Sequence, residues 1–347
     1  MRRSAPDHMM VMRAGGMLRL REENDLRVRL GVLKWRSSVR KPTPHRFEVV
    51  LLDIVLSFIS VLTVVLNLLV IISVSHFRQL HTPTNILLLS LAVSDFLVGF
   101  VSLPGQIYRR AQCWFLGDLL CSLYYYVSYL VFSTSVGNMV LISADRYVAI
   151  IHPLHYTTRI TVTKVKFCVF LCWFCSIFYS SVVFKDALIQ PGIHNSCYGE
   201  CTVVLSYIAD VVDLVLNFIA PVTAIVLLYM RVFVVAVSQA HAMRSHTAAV
   251  THQHSVTVGR MKSELKAART LGVLVVVFLM FYCPFYCVAL AWTSLSVVNF
   301  VFVMFYLNSC LNPVIYALFY PWFRKASKHI ITLQILQPGS CEFSMSS

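Results

Sequence analysis

The sequence predicts an all-α membrane protein, namely a seven-transmembrane helix bundle followed by a short amphipathic eighth helix. Composition is the first reason: 58% of the 347 residues are hydrophobic and 13% are charged, whereas soluble domains contain about 45–50% apolar and about 25% charged residues. The second reason is that seven separate apolar stretches each reach the length of about 20 residues that a helix needs to cross a bilayer. Such a chain is expected to fold in lipid.

The predicted spans divide the chain into one helical domain, residues 47–320, with a segment on either side. The spans are residues 48–74, 83–107, 118–149, 164–187, 204–236, 266–293 and 297–319. Several exceed the thickness of a bilayer, so we expect them to tilt or to continue beyond the membrane. Residues 321–347 are expected to form the amphipathic helix and a cytoplasmic tail.

The basic residues of the short loops predict how the chain is oriented. They concentrate after the first, third, fifth and seventh spans, as Arg78, Arg159, Lys164, Lys166, Arg244, Arg260, Lys262, Lys266, Arg324, Lys325 and Lys328. Since loops rich in Lys and Arg stay in the cytoplasm, we expect the N-terminus outside the cell and the protein in the plasma membrane. The net charge of +14 is then explained by contact with membrane lipid and not by nucleic acid binding.

Residues 1–46 contradict this orientation. They carry twelve Lys and Arg residues against four acidic residues, a net charge of +8, and a basic tail resists translocation. They also contain no apolar signal-peptide core. Two explanations stay open: the segment is a disordered extracellular N-terminus, or it is an artefact of the gene model and absent from the mature protein.

Three short motifs lie on the predicted helices in a characteristic order. The third span ends in Asp145–Tyr147, the seventh contains Asn312–Tyr316, and the second contains Leu91–Asp95. Each is short enough to occur by chance, but in this order on seven spans they closely resemble the rhodopsin-like G-protein-coupled receptors. The resemblance covers residues 46–330 and implies a heterotrimeric G protein as the cytoplasmic partner.

Four further segments narrow the resemblance to one family. His81–Asn85, Cys113–Asp118, Lys266–Gly272 and Phe319–Ala326 are together similar to the trace-amine-associated receptors. That family is largely olfactory, detects volatile amines and mostly uses a stimulatory G protein, which raises cAMP. The resemblance therefore implies a small amine as the ligand.

The resemblance also implies which residues switch the receptor. In the family, the arginine matched by Arg146 binds the G protein in the active state, and in the resting state it pairs with an acid that Glu264 matches. Pro221, Pro284 and Pro313 interrupt the last three spans, and such prolines kink a helix, which lets the cytoplasmic half of the sixth helix swing outward. The predicted switch residues are Asp145, Arg146, Tyr147, Tyr229, Glu264, Asn312, Pro313 and Tyr316.

Asp95 is an ionisable residue in the middle of the second span, where a charge is costly and usually has a function. The resemblance surrounds it with Ser135, Asn308, Ser309 and Asn312, as in the family's sodium pocket, and oxygen ligands suit a hard cation. Apart from this allosteric sodium ion we expect no cofactor. The alternative is a protonated, hydrogen-bonded carboxyl group without an ion.

Four cysteines lie in or beside the predicted outer loops, where disulfides persist. The resemblance pairs Cys121, at the start of the third helix, with Cys201, which precedes the fifth. Cys113 and Cys197 are then left over. Either they pair with each other, or the authentic N-terminal segment with its own cysteine is missing.

An amine ligand requires an acidic partner inside the bundle. Aminergic receptors carry an aspartate eighteen residues before the motif arginine, and here that position is Ser128, whose hydroxyl cannot neutralise an ammonium ion. On the fifth helix, Asp210, Asp213 and Asn217 recur at i, i+3 and i+7 and so share one face. A branch of the resembled family lacks the third-helix aspartate and carries one at the position of Asp213, which we therefore predict to hold the amine.

Aromatic residues of the sixth and seventh helices complete the predicted pocket, because each aromatic face attracts an ammonium group by about 0.5–2 kcal/mol. The predicted ligand-binding residues are Asp213, Asp210, Ser128, Asn217, Tyr282, Phe285, Tyr286 and Tyr306. Tyr282 stands where the family usually has a tryptophan, and we expect activation to run through it.

Other functions compete with this interpretation. Ser128 favours a rhodopsin-like receptor for a non-amine ligand, in which Asp213 makes an internal hydrogen bond, and Tyr282 favours a poorly signalling receptor. A retinal pump needs a lysine in the seventh span, which has none, and a transporter usually shows internal repeats, which we do not find. No metal-binding spacing or nucleophile motif indicates an enzyme.

Overall fold

A computed structural model describes residues 46–111, 114–192, 201–203, 205–246, 272–288, 295–337 and 340–342. All of the secondary structure in these residues is helical. The predicted positions Glu264, Cys113 and Cys197 lie outside the described residues, as does the basic segment before Arg46.

We label eight helices of the described chain α1 to α8. They are α1 Arg46–His76, α2 83–111, α3 Asp118–Ile151, α4 Val162–Val183, α5 207–246, α6 Gly272–Val288, α7 Leu295–Phe319 and α8 Pro321–Ile331. Shorter helical segments occupy loops, among them Arg78–Leu80, Pro153–Arg159 and Lys185–Ile189.

Six of these helices are long and apolar enough to cross a membrane, and α6 adds a shorter apolar helix. With α8 following the last of them, the predicted fold class is confirmed. The fourth span was predicted to reach residue 187, but α4 ends at Val183 and a separate short helix, Lys185–Ile189, follows it. The reason is that Lys185 and Asp186 introduce charges that leave the apolar layer.

Polar residues fix where several helices begin. The hydroxyl of Thr82 accepts a hydrogen bond from the backbone N–H of Asn85, and Thr161 and Ser206 cap α4 and α5 in the same way. Pro83 occupies the first turn of α2, where its missing N–H costs nothing. Such caps satisfy backbone groups that an isolated helix end leaves unpaired.

Helices α2 and α5 each contain a π turn, at Val98–Ser102 and Leu214–Ile219. A π turn inserts an extra residue into the helical repeat and often marks a functional site. The turn in α5 begins directly after Asp213 and ends shortly before Pro221. Since proline has no N–H, the carbonyl of Asn217, four residues earlier, loses its usual helical donor.

The bundle buries polar side chains among its apolar core residues and exposes large apolar side chains on its outside. Asn67 and Asp95 are completely buried between helices, whereas Phe167, Phe170 and Phe174 of α4 expose more than half of their surface. A soluble protein shows the opposite arrangement. Lipid is as apolar as these phenylalanines, so this surface is stable in a bilayer and the protein is a multi-pass membrane protein.

A disulfide joins Cys121 to Cys201, which confirms the pairing implied by the resemblance. It links the start of α3 to the chain that leads into α5. Trp114 packs in the same buried cluster, and its indole N–H donates to the carbonyl of Gly117 at 2.9 Å. The chain around Cys201 is thereby held against the N-terminal end of α3.

Helix α8 lies against the C-terminal end of α1. Phe323 and Ala326 are its buried residues, and Ala326 packs with Phe77 and Leu80. The guanidinium of Arg324 donates to the last carbonyls of α7 at 2.9 and 3.1 Å. One face of α8 is therefore packed against protein while the other carries its basic residues.

Candidate functional site

The carboxylate of Asp213 lies inside the bundle, between α5 and α3. The hydroxyl of Tyr129 donates a short hydrogen bond to Asp213 Oδ1, and the side-chain amide of Asn217 donates to the same oxygen at 2.8 Å. The hydroxyls of Tyr129 and Tyr179 are 3.1 Å apart. Because a hydroxyl has only one proton, Tyr129 gives its proton to the carboxylate and accepts one from Tyr179, which links α4 to the site.

The charge of Asp213 is held by neutral groups. Tyr129 and Asn217 are both uncharged donors, and among the described residues no cationic side chain forms an ion pair with this carboxylate. Asp210 lies one turn nearer the N-terminal end of α5, partly exposed, and both carboxylates lie within electrostatic range of Tyr179. The N-terminal half of α5 therefore presents negative charge toward α3 and α4.

Tyr282 connects α6 to the π turn of α5. Its hydroxyl donates to the Asn217 carbonyl at 2.7 Å and lies 3.3 Å from the hydroxyl of Tyr286. This is the carbonyl that Pro221 leaves without a helical donor, so Tyr282 compensates for the proline. The rings of Tyr286 and Phe218 stack with centroids 4.5 Å apart, and α6 thus reaches the Asp213 group through Asn217.

The remaining predicted pocket residues lie in other clusters. Phe285 packs against α7, with its ring centroid 4.6 Å from that of Phe305. Tyr306 is buried on the side of α1 and α2, with Leu56 and Leu103. Ser128 is buried on α3, near the hydroxyl of Tyr124. The structure therefore groups Asn217, Tyr282 and Tyr286 with Asp213 but places Ser128 and Tyr306 toward α2.

Asp95 accepts hydrogen bonds from two of its predicted neighbours. Asn312 donates to Oδ2 at 2.6 Å and Ser135 to Oδ1 at 3.2 Å. Asn308 and Ser309 are buried, and Ser309 lies in hydrogen-bonding range of the carboxylate. The described residues contain no cluster of three or more His, Cys, Asp or Glu side chains, so one carboxylate with hydroxyl oxygens fits a monovalent cation better than a transition metal.

The third-helix motif forms a buried polar cluster at the C-terminal end of α3. Arg146 Nη2 lies 2.5 Å from Asp145 Oδ2 and also donates to the hydroxyl of Thr84. The hydroxyl of Tyr156, on the segment Pro153–Arg159, donates to Asp145 Oδ1 at 2.7 Å. Burial, and then the neighbouring Asp145 carboxylate, raises the pKa of Tyr156 to about 12, so it remains a donor at neutral pH.

Of the other predicted switch residues, some lie near this cluster and some lie on α7. Tyr229 of α5 is partly buried within electrostatic range of Arg146, and Tyr147 packs against Ile150 and Val232. Pro313 lies inside α7. Tyr316 is buried, with its ring centroid 6.4 Å from that of Phe323 in α8.

Sequence reasoning missed four side chains that the structure places at these sites. Tyr129 and Tyr179 hold Asp213, and Thr84 and Tyr156 hold Asp145. Thr84 lies within a segment that carried the family resemblance, which was a usable signal. The three tyrosines could not be singled out from the sequence, because the chain has 16 tyrosines and most of them have an aromatic packing role.

Seven helices with a buried aspartate in α2 and a buried Asp-Arg-Tyr motif define a rhodopsin-type receptor. The sequence profile described as 7 transmembrane receptor (rhodopsin family) matches residues 66–316, which is more than half of the chain. Proteins of this class are receptors and not enzymes.

The chain belongs to the trace amine-associated receptors of that class. It is 37% identical to trace amine-associated receptor 8a of Rattus norvegicus over 313 residues, 86% of this chain and 91% of the rat protein. It is 36% identical to trace amine-associated receptor 13c of Danio rerio over 322 residues, 89% and 94% of the two chains. Trace amine-associated receptor 6 of Homo sapiens is 36% identical over 313 residues, 86% and 90%.

Proposed function

We propose that this receptor is activated by a small amine whose ammonium group binds Asp213, and that it signals through a stimulatory G protein to cAMP. The observation that carries the proposal is the Asp213 carboxylate, which faces α3 inside the bundle and is held by the neutral donors Tyr129 and Asn217. Asp213 is half-buried, and a carboxylate that is partly removed from water without a cation beside it is costly. A protonated amine would supply the missing charge.

The third helix supports the same assignment. Ser128 stands where aminergic receptors carry an aspartate, and a hydroxyl does not offset an ammonium charge. We therefore place the chain in the branch that has lost that acid and holds the amine from α5. The names of the relatives, trace amine-associated receptors, agree with an amine ligand, and an olfactory role follows from the family resemblance.

Aromatic rings near Asp213 would surround the alkyl part of the amine. Tyr282 and Tyr286 reach this group through Asn217 and Phe218. Aromatic faces stabilise an ammonium group by about 0.5–2 kcal/mol each when desolvated. Such a site favours amines that combine one cationic end with an apolar body.

The proposed orientation puts the N-terminus outside the cell. The disulfide between Cys121 and Cys201 would then lie in the oxidising compartment, where such bonds persist. The Arg146 cluster and α8 would lie in the cytoplasm, where the G protein binds. We propose residues 47–320 as the receptor domain, between an extracellular segment 1–46 and a tail 321–347.

We further propose that Asp95, Ser135 and Ser309 bind a sodium ion that stabilises the resting receptor. Asp95→Asn keeps the size of the side chain and one of its two acceptor oxygens but removes its charge. It is expected to abolish the effect of exchanging sodium for choline on agonist potency, measured as cAMP concentration–response curves. Equal sodium dependence in wild type and Asp95→Asn would show that the carboxyl group acts without an ion.

A ligand screen tests the main proposal. Cells expressing the full chain with an N-terminal epitope tag are exposed to primary, secondary and tertiary amines and to size-matched alcohols and acids, and cAMP is measured. Amines alone are expected to raise cAMP. Antibody labelling of intact cells reports the orientation in the same experiment, and activation only by non-amines would contradict the amine assignment.

A further inference from the structure

The second span ends in two arginines, Arg109 and Arg110. Among the described residues, a carboxylate lies beside Arg110 but not beside Arg109. Arg110 lies 3.8 Å from a carboxylate oxygen of Asp53 and donates to Asn299 at 3.0 Å. Arg109 donates to the side-chain carbonyl of Gln106 at 3.0 Å, and no described carboxylate forms an ion pair with it. The charge of Arg110 is therefore offset, whereas that of Arg109 is met only by neutral groups.

Arg109 points toward α3, the helix that also holds Asp213. Its guanidinium carbon lies 5.8 Å from the ring centroid of Tyr125, whose hydroxyl donates to the carbonyl of the disulfide residue Cys201. The buried Nε of Arg109 has no hydrogen-bond partner among the described residues. A buried donor without a partner is costly, and the Nε of Arg110 is likewise buried without a hydrogen bond among the described residues.

Arg109 and Asp213 contact side chains on the same face of α3. Arg109 lies against Tyr125, and Asp213 accepts from Tyr129, four residues later. Residues at i and i+4 lie on the same face of a helix. Both tyrosines also pack against the cluster formed by Phe184, Val203 and Leu205, and their positions on α3 are offset by about 6 Å along the helix axis.

We infer that the preferred ligand is a zwitterion, in which an ammonium group binds Asp213 and a carboxylate binds Arg109. This inference rests on the proposed amine site and names the second half of its ligand. A guanidinium binds a carboxylate through two parallel N–H···O bonds, and the unused Nε supplies one such donor. The preferred ligand class is therefore an amino acid with separated charges, and an amine without the carboxylate is expected to activate the receptor at higher concentration.

A series of matched ligand pairs tests the inference in cells expressing the full chain. Each pair consists of an ω-amino acid and the amine that lacks its carboxylate: β-alanine with ethylamine, γ-aminobutyrate with propylamine, and ε-aminocaproate with pentylamine. In wild type, the amino acid of one length is expected to be about ten- to a hundredfold more potent than its amine, the scale of one charged hydrogen-bonded contact.

Three variants test whether Arg109 binds the carboxylate of the ligand or only stabilises the receptor. Arg109→Gln is expected to remove the advantage of the amino acid while leaving the potency of the amine within about threefold, a small fraction of the contact energy. Arg109→Lys keeps the charge and should restore part of the advantage. Arg110→Gln is the matched control, because its partner is Asp53, and it should preserve the advantage. Surface labelling confirms equal expression.

The outcomes distinguish this inference from the proposed amine site. If the amines activate wild type but no amino acid exceeds its amine, the zwitterion inference is wrong and the amine site stands. If Arg109→Gln weakens both members of a pair equally, Arg109 has a structural role and the inference is also wrong. If neither class of compound activates the receptor, both proposals fail.

Discussion

Replacing Asp213 by alanine is expected to lower amine potency by two to three and a half orders of magnitude, corresponding to about 3–5 kcal/mol for a buried pair that loses one partner. Among the described residues the carboxylate receives hydrogen bonds from Tyr129 and Asn217 only, so an ammonium group would be its charged partner. The measurement is a cAMP concentration–response curve for the best amine at matched surface expression.

The choice of variants separates the loss of charge from the loss of structure. Asp213→Asn retains the size of the side chain and can still accept from Tyr129, so it should fold like wild type and yet lose potency nearly as strongly as Asp213→Ala. Asp186→Asn makes the same exchange at an exposed position outside α4 and should leave potency unchanged. Wild-type potency in both Asp213 variants would refute the assignment of the amine site.

Replacing Arg146 by glutamine is expected to abolish the amine-stimulated rise in cAMP while ligand binding persists. Arg146 is buried against Asp145 at 2.5 Å, and removing one member of such a pair costs up to about 3–5 kcal/mol. Thr84 and Tyr156 still donate to Asp145, which limits the loss of stability. We therefore expect a receptor that reaches the surface with a lower unfolding temperature and does not signal.

The matched control for this variant is Arg159→Gln. Arg159 lies at the exposed end of the short segment that carries Tyr156, and its loss should change neither cAMP signalling nor the unfolding temperature of the purified receptor. Binding of a labelled agonist to both variants tests whether the ligand site is intact. A full cAMP response from Arg146→Gln would show that the motif arginine is dispensable for coupling.

The helices were predictable because lipid imposes a simple requirement. A chain inside a bilayer must satisfy every backbone N–H and C=O internally, and a helix does so with about 20 apolar residues. Apolar run length therefore located every span, although the fourth ended earlier than expected, at Val183. The π turn at Leu214–Ile219 was not predicted, because it interrupts a stretch that reads as a continuous apolar helix.

The candidate site was predictable only in part. Asp213 and Asn217 were found because charges and amides are rare within apolar spans, and their spacing placed them on one face. Their partners, Tyr129 and Tyr179, come from helices 84 and 34 residues away in the chain from Asp213. No local pattern encodes such a contact, since a tyrosine on α3 packs equally well against several neighbours.

The sequence by itself determined the number of helices and the residues whose burial demands a function. It did so because the cost of placing a charge in hydrocarbon depends on the residue and on the length of the apolar run around it. Tertiary structure decided which of these charges are compensated. Arg110 meets Asp53, and Arg146 meets Asp145, whereas Asp213 and Arg109 meet only neutral groups in the described chain. That distinction depends on distances of a few ångströms between separate helices, which only the packing of the bundle sets.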